Sequence, residues 1–348
     1  MLRLIQLKKG NERRVALVDE PRLHLLDGFA SIYELANASI TERADLSRIA
    51  RQRATGATLD YDPIYNGRAE WNVLPAIDHP HELARCMISG TGLTHLGSAQ
   101  GRQAMHKLTS AARQSTARSA TADAGEQLTD SMKIFRWGIE GGRPAPGAIG
   151  TPPEWFYKGT GAMLRAHGDP LEIPAYAEVG GEEAEVAGVF VTAPDGQPHR
   201  IGMAAGNEFS DHQFEKRNYL NLAGSKLRTC ALGPELVIDP TFNDVTVDVN
   251  IERGGTGLWS KSFRTGEAAM CHSLQNIEHH HFKFESHRRP GDVHIHFFGT
   301  AALSFGDGVR LQDGDVMRVA VTGFGRPLSN PVRVASAAQT LVSTIPLR

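Results

Sequence analysis

The opening of the chain is patterned for strands. LRLIQL and RRVALVD alternate or cluster their apolar residues and are joined by the turn-like Lys9-Gly10-Asn11. From Phe29 to about Arg53 the spacing changes: Ile32, Leu35, Ile40 and Leu46 recur near a 3.6-residue period, which predicts helix. YDPIYNGRAEWNVLPAIDHPHE is rich in Pro, Gly and Asp and reads as a linker, with a boundary near residues 65–80. The expected organisation is a small α+β domain over 1–75 and a larger one over 76–348. LARCMISGTGLTH then runs as a strand into a glycine-rich loop, and the polar stretch 98–132 predicts a helical flap or insertion. From residue 150 onward short strands dominate: EWFYK, EVAGVFV, HRIGMAAG, ELVID, VTVDVNI, LWSKSF, DVHIHFF and DVMRVAV. One helix, GEAAMCHSLQNIEHHHF, interrupts them. Strands at short intervals with a single helix predict a β-rich α+β fold, not a doubly wound sheet.

Composition narrows the function classes. The chain has 348 residues, 41% apolar and 22% charged, enough for a sizeable core. A formal net charge of -2 argues against a nucleic-acid partner. No apolar run approaches the roughly 18–20 residues a membrane span needs, so no membrane partner is expected. The opening MLRLIQLKKGNERR carries its charges after a short apolar stretch, so no signal peptide is expected. Cys86, Cys230 and Cys271 lack paired spacing and read as buried free thiols of a cytoplasmic protein.

Three groups invite chemistry. GTGLTHLGSAQG has glycines at 90, 92 and 97, which is not GxGxxG, so a dinucleotide site is not expected. His279, His280 and His281 are adjacent and point in different directions on a helix, so they cannot converge on one ion. His294 and His296 share a strand face, but no third partner is identifiable, and the cluster reads as structural. GEEAEVAG is different. Glu183 and Glu185 share a face of a strand that is otherwise apolar, and buried carboxylates persist only when paired, protonated or metal-bound. Glu208 follows the next strand in AAGNEFSD, where an antiparallel turn can bring it over the pair. Hard divalent ions prefer such oxygen ligands. Glu182 points to the other face and reads as a solvated edge residue.

These segments together resemble the fumarylacetoacetate hydrolase superfamily: GEEAEVAGVF, IGMAAGNEFSD, SKLRTCALGPELV, RPGDVHIHFFGT and GDVMRVAVTGFGRPLSNPV, over roughly residues 84–335. The resemblance implies a mixed β-roll or sandwich fold and a Mg²⁺ (or Mn²⁺ or Ca²⁺) held by Glu183, Glu185 and Glu208. Within the superfamily PEWFYK and GTGLTH are similar to segments of the 2-keto-3-deoxy sugar-acid dehydratases. That likeness implies a catalytic pair, Glu154 and Lys226, and a homodimer acting on a small 2-keto acid. Thr300 in FFGT is expected to hold the substrate carboxylate, and Thr94, Ser98, Lys158 and His212 are the other expected substrate-binding residues.

The sequence departs from that family twice. Glu208 stands where an Asp is usual, and Ser210-Asp211-His212-Gln213 lacks the usual arginine, with His212 in its place. The implied reaction is Lewis-acid stabilisation of charge on the 2-keto group, with Lys226 as a neutral base and Glu154 as an acid raised by Trp155 and Phe156. The two roles are interchangeable at this level. A pentonate would yield the semialdehyde of 2-oxoglutarate. The rival on the same scaffold is a C–C bond hydrolase or decarboxylase, and the resemblance implies that the hydrolase branch needs a His–Glu dyad on the lid to activate water. His95 and His106 are not followed by Glu three residues on, which favours the dehydratase.

Overall fold

The computed structural model describes residues 1–103 and 128–347. Strands β1 (Leu2–Lys9), β2 (Glu12–Asp19) and β3 (Arg22–Leu26) form an antiparallel meander, and β4 (Ala54–Asp60) returns along β3. The helical stretch between them splits into α1 (Ile32–Glu42) and α2 (Leu46–Arg53). Arg43 turns left-handed at φ 49°, and Asp45 caps the second helix by accepting from Arg48 N. Ser31 caps the first in the same way through Glu34 N.

The remaining strands follow in order: β5 (Asn72–Val73), β6 (Cys86–Gly92), β7 (Glu154–Thr160), β8 (Leu164–Arg165) and β9 (Leu171–Ile173). A long hairpin, β10 (Ala184–Thr192) and β11 (Pro198–Asn207), precedes the short β12 (Cys230–Leu232) and β13 (Leu236–Ile238). Then come β14 (Val245–Arg253), β15 (Thr256–Thr265), β16 (Val293–Phe297), β17 (Val316–Val321) and β18 (Leu328–Val334). The large sheet runs β4-β3-β2-β1-β13-β11-β10-β16-β6-β7, and a five-stranded sheet runs β15-β14-β17-β18-β9.

β10 is buried along its whole length, which explains its unbroken apolar run. Ala187, Val189 and Val191 face a core shared with α1 and α2, while Ala184 and Val186 face Val247, Val249 and Val319 of the small sheet. Three layers result: helices, large sheet, small sheet.

The first 75 residues continue this architecture. β1 pairs with β13 (Leu2↔Ile238, Leu4↔Leu236), and Leu4, Val15, Ile32 and Leu35 share a core with Ala187, Val189 and Ile295. The sheet crosses the expected boundary because β1 finds its hydrogen-bond partner in the later part of the chain. Two helices differ from expectation. Asp130–Gly141, capped by Thr129, was not foreseen, and the helix expected from Gly266 covers only Leu274–Phe282, where Ser273 caps it. Residues 104–127 of the expected flap, His106 included, lie outside the described residues. No helix among the described residues is long and apolar enough to cross a membrane.

Candidate metal centre and acid–base site

The acid run reaches the site because β10 and β11 end together. Glu185 lies opposite Gly206 and Ala184 opposite Asn207. Beyond the ladder Glu208 N donates to Glu183 O at 2.9 Å, and Glu183 N donates to Asn207 Oδ1 at 3.2 Å. This zipper brings carboxylate oxygens of Glu183, Glu185 and Glu208 within 4.8 Å of one another, all three buried. Phe209 follows at φ 51°, a left-handed conformation that costs a non-glycine residue about 1–2 kcal/mol. Such strain beside a functional carboxylate persists only where the surroundings enforce it.

Two buried lysines answer these acids. Lys226 Nζ pairs with Glu183 Oε1 and lies 2.5 Å from Glu208 Oε2. Lys158 Nζ donates to Phe209 O (2.7 Å) and Lys226 O (2.9 Å), and makes an ionic contact of 2.7 Å with Glu208 Oε1. Ser210 Oγ donates to Glu208 Oε2 at 2.8 Å. Burial pushes Glu185 well above the usual carboxylate range, with Glu183 and Glu208 adding to it. Burial also raises Glu208, reinforced by Glu183 and opposed by Lys158 and Lys226. Glu183 is lower than usual, because Lys226 and His212 outweigh its burial. For Lys226 burial favours the neutral amine, yet Glu183 and Glu208 prevail and raise it. Glu183 and Glu208 thus favour the ammonium form of Lys226, the opposite direction to the neutral amine expected from burial and a nearby metal cation.

Glu154, Phe156 and Lys158 are buried residues at alternate positions of β7. The Phe156 ring centroid lies 4.6 Å from Lys226 Nζ. Glu154 accepts from Arg102 Nη1 at 2.9 and 3.1 Å and from the Tyr219 hydroxyl at 2.8 Å. Arg102 Nε also lies 3.0 Å from Glu215 Oε1. The apolar setting expected for Glu154 is thus corrected: its partners are a guanidinium and a phenol. Gly92 explains part of the glycine-rich loop, since a Cβ there would overlap Glu154 Oε1. Arg102, Glu215 and Tyr219 escaped the sequence reading. Each is a lone polar residue in a polar stretch, and no period or spacing marks it.

The expected substrate-binding residues divide. Thr300, buried, directly follows Gly299, whose amide donates to Glu185 Oε2 at 2.6 Å. His212 Nδ1 lies 3.9 Å from Glu183 Oε1, and its Nε2 is buried without a hydrogen-bond partner among the described residues. Thr94 Oγ1 donates to Phe298 O at 2.7 Å, holding the turn before Gly299. Ser98 is not brought to the cluster; its hydroxyl donates to His95 O at 2.8 Å within its own turn. Lys158 is a fully buried counter-ion of Glu208 rather than a group free for substrate. Glu182 is also corrected. It is buried and accepts from Ser304 N (2.7 Å) and Ser304 Oγ (2.6 Å), and burial pushes it up to about 7. It precedes β10, so strand alternation does not set its direction.

The histidines pack as a structural group. His296 sits between Ser89 Oγ (2.8 Å) and Thr91 Oγ1 (2.7 Å), and His281 Nε2 meets His294 Nδ1 at 3.0 Å. Among the described residues, the glutamate trio is the one group of three that can hold a metal ion.

Charge and donor chemistry fit a divalent cation. Five buried carboxylates (Glu154, Glu183, Glu185, Glu208, Glu215) face three buried cations (Lys158, Lys226, Arg102), so two formal negative charges are unmatched. Three all-oxygen ligands suit a hard ion.

Fold and sequence together place the chain in a known enzyme family. The family model of the fumarylacetoacetate (FAA) hydrolase C-terminal domain matches residues 133–333, and the chain belongs to that family. No curated protein matches it in sequence. Among solved structures, it is similar to 2-keto-3-deoxy-D-arabinonate dehydratase complexed with magnesium and 2,5-dioxopentanoate. The TM-score is 0.67 at 18% identity, covering 96% of this chain and 99% of that one. It is also similar to 2-hydroxyhepta-2,4-diene-1,7-dioate isomerase from Mycobacterium marinum. That TM-score is 0.56 at 15% identity, over 97% and 100% of the two chains. At these identities the likeness is one of fold.

Proposed function

We propose that the chain is a Mg²⁺-dependent hydro-lyase of a 2-keto-3-deoxy sugar acid, with a pentonate as substrate and the semialdehyde of 2-oxoglutarate as product. The observation that carries this reading is the buried Glu183–Glu185–Glu208 cluster in contact with Lys226, beside a strand that presents Glu154. The similar dehydratase structure, with its magnesium and 2,5-dioxopentanoate, supports the choice of reaction. We further propose a cytoplasmic homodimer working in sugar-acid catabolism.

Glu183, Glu185 and Glu208 would hold the ion, which when bound supplies Lewis-acid stabilisation to charge growing on the 2-keto oxygen. Lys226 Nζ, kept charged by Glu183 and Glu208, holds a proton for the departing C4 hydroxyl, which leaves as water. Glu154, oriented by Arg102 and Tyr219, takes the C3 proton at its carboxylate. This reading takes the swapped roles, with Lys226 as acid and Glu154 as base. Thr300 and His212 would bind the acid end of the substrate.

The C–C cleaving reading needs a His–Glu dyad. His95 instead meets Thr94 Oγ1 at 2.8 Å and Thr265 Oγ1 at 3.0 Å, with no carboxylate partner among the described residues, and burial lowers it to about 4. The test is a proton NMR time course with D- and L-2-keto-3-deoxy-pentonates and -hexonates, Mg²⁺ and an EDTA control. A metal-dependent semialdehyde from one substrate is expected. Pyruvate with a second fragment would overturn the dehydratase in favour of cleavage.

A further inference from the structure

The loop 298–310, between β16 and β17, is fastened to the acid run at two points. Gly299 N donates to Glu185 Oε2 at 2.6 Å. Five residues on, Ser304 donates its amide to Glu182 Oε1 at 2.7 Å and its hydroxyl to Glu182 Oε2 at 2.6 Å. Both oxygens of one carboxylate thus grip one residue, fixing orientation as well as position. The same Ser304 closes the following turn, since its carbonyl accepts from Asp307 N (3.0 Å) and Val309 N (3.1 Å). Thr300 lies between the two fastenings, and Phe305 just beyond packs on His212 with ring centroids 5.5 Å apart.

Neither Glu182 nor Ser304 is needed to hold an ion or to move a proton. Burying a carboxylate that has no cation partner among the described residues is costly, so its placement here calls for a role. We propose that Glu182 and Ser304 are positioning residues: a clamp that sets Gly299 and Thr300 against Glu185 and so shapes the seat for the carboxylate end of a 2-keto acid. This inference rests on the proposed function for its substrate, but not for the clamp itself.

The experiment combines hydrogen exchange of the 298–310 region with steady-state kinetics on the full chain in Mg²⁺. Ser304→Ala removes one charge-assisted hydrogen bond and is expected to speed exchange about ten-fold and raise KM about ten-fold, with kcat within about two-fold. Bound Mg²⁺ is expected to stay unchanged. Ser304→Thr restores both readouts, and Glu182→Gln, which keeps one acceptor oxygen, falls between parent and Ser304→Ala. Parent-like exchange in Ser304→Ala, or failure of Ser304→Thr to rescue, would overturn the clamp. If the parent turns over no 2-keto-3-deoxy acid, the proposed function falls, while the exchange data still decide the clamp.

Discussion

Lys158→Met keeps the stem of a fully buried side chain and deletes its charge. Three interactions go with it: the 2.7 Å ionic contact with Glu208 Oε1 and hydrogen bonds to Phe209 O and Lys226 O. Removing one partner of a buried ion pair costs about 3–5 kcal/mol, because the other charge is left uncompensated. The two carbonyl bonds overlap with that cost and do not simply add, so a total of about 4 kcal/mol is expected. At about 2.1 cal/mol/K of unfolding entropy per residue, a 348-residue chain shifts by about 1.4 °C per kcal/mol, so the melting temperature falls by about 5–6 °C in calorimetry. Glu208→Gln removes the charge that Lys158 neutralises. The double variant should therefore be more stable than the sum of the singles by about 2 kcal/mol. Had Lys158 served substrate alone, Lys158→Met would leave the melting temperature in place and change only KM. A melting temperature within about 2 °C of the parent, or strictly additive singles, would refute the counter-ion assignment.

The metal assignment predicts that Mg²⁺ at about 100 times its Kd stabilises the parent by about 2.7 kcal/mol, and that Glu183→Gln and Glu185→Gln lose this shift and turnover together. Either variant with full activity and bound Mg²⁺ removes the assignment. Lys226→Ala is expected to retain Mg²⁺ by calorimetric titration yet lose turnover; parent-rate turnover would exclude the lysine from catalysis. Acid stability follows from the histidines. Burial lowers His294 to about 4 and His296 to about 3, against about 6.5 unfolded. Below pH 6.5 the unfolded chain therefore binds protons that the fold refuses. Stability is full above pH 6.5 and falls toward pH 4 by up to about 1.4 kcal/mol per pH unit for each group. His294→Gln should shallow this slope in melting experiments, and coincident slopes would contradict the reading.

Much of the site was legible because period-two alternation is strict where a strand is regular. Glu183 and Glu185 were expected on one strand face and do lie close together, although Glu183 precedes β10, and Glu208 arrives because the hairpin register places Asn207 opposite Ala184. The resemblance supplied what spacing could not, namely Lys226 and Glu154 from separate elements. The sheet order was beyond either source: β1 joins β13 across more than 200 residues, and nothing local in LRLIQL names that partner.

The errors share a cause. Each assigned a polar residue its surroundings from its immediate neighbours in sequence, whereas burial in this fold is decided by segments far away. Trp155 and Phe156 suggested an apolar setting for Glu154, but Arg102 arrives from 52 residues upstream and Tyr219 from 65 downstream. Glu182 looked solvated because alternation turns it away from Glu183, and Ser304, 122 residues on, is what it meets there. Lys226 was expected as a neutral amine from its burial and a nearby metal cation, and Glu183 and Glu208, from other segments, act in the opposite direction. In a charge-dense interior the sign of each shift belongs to the whole cluster. With five carboxylates against three cations, that cluster has the surplus of acidic oxygens that can hold a divalent ion.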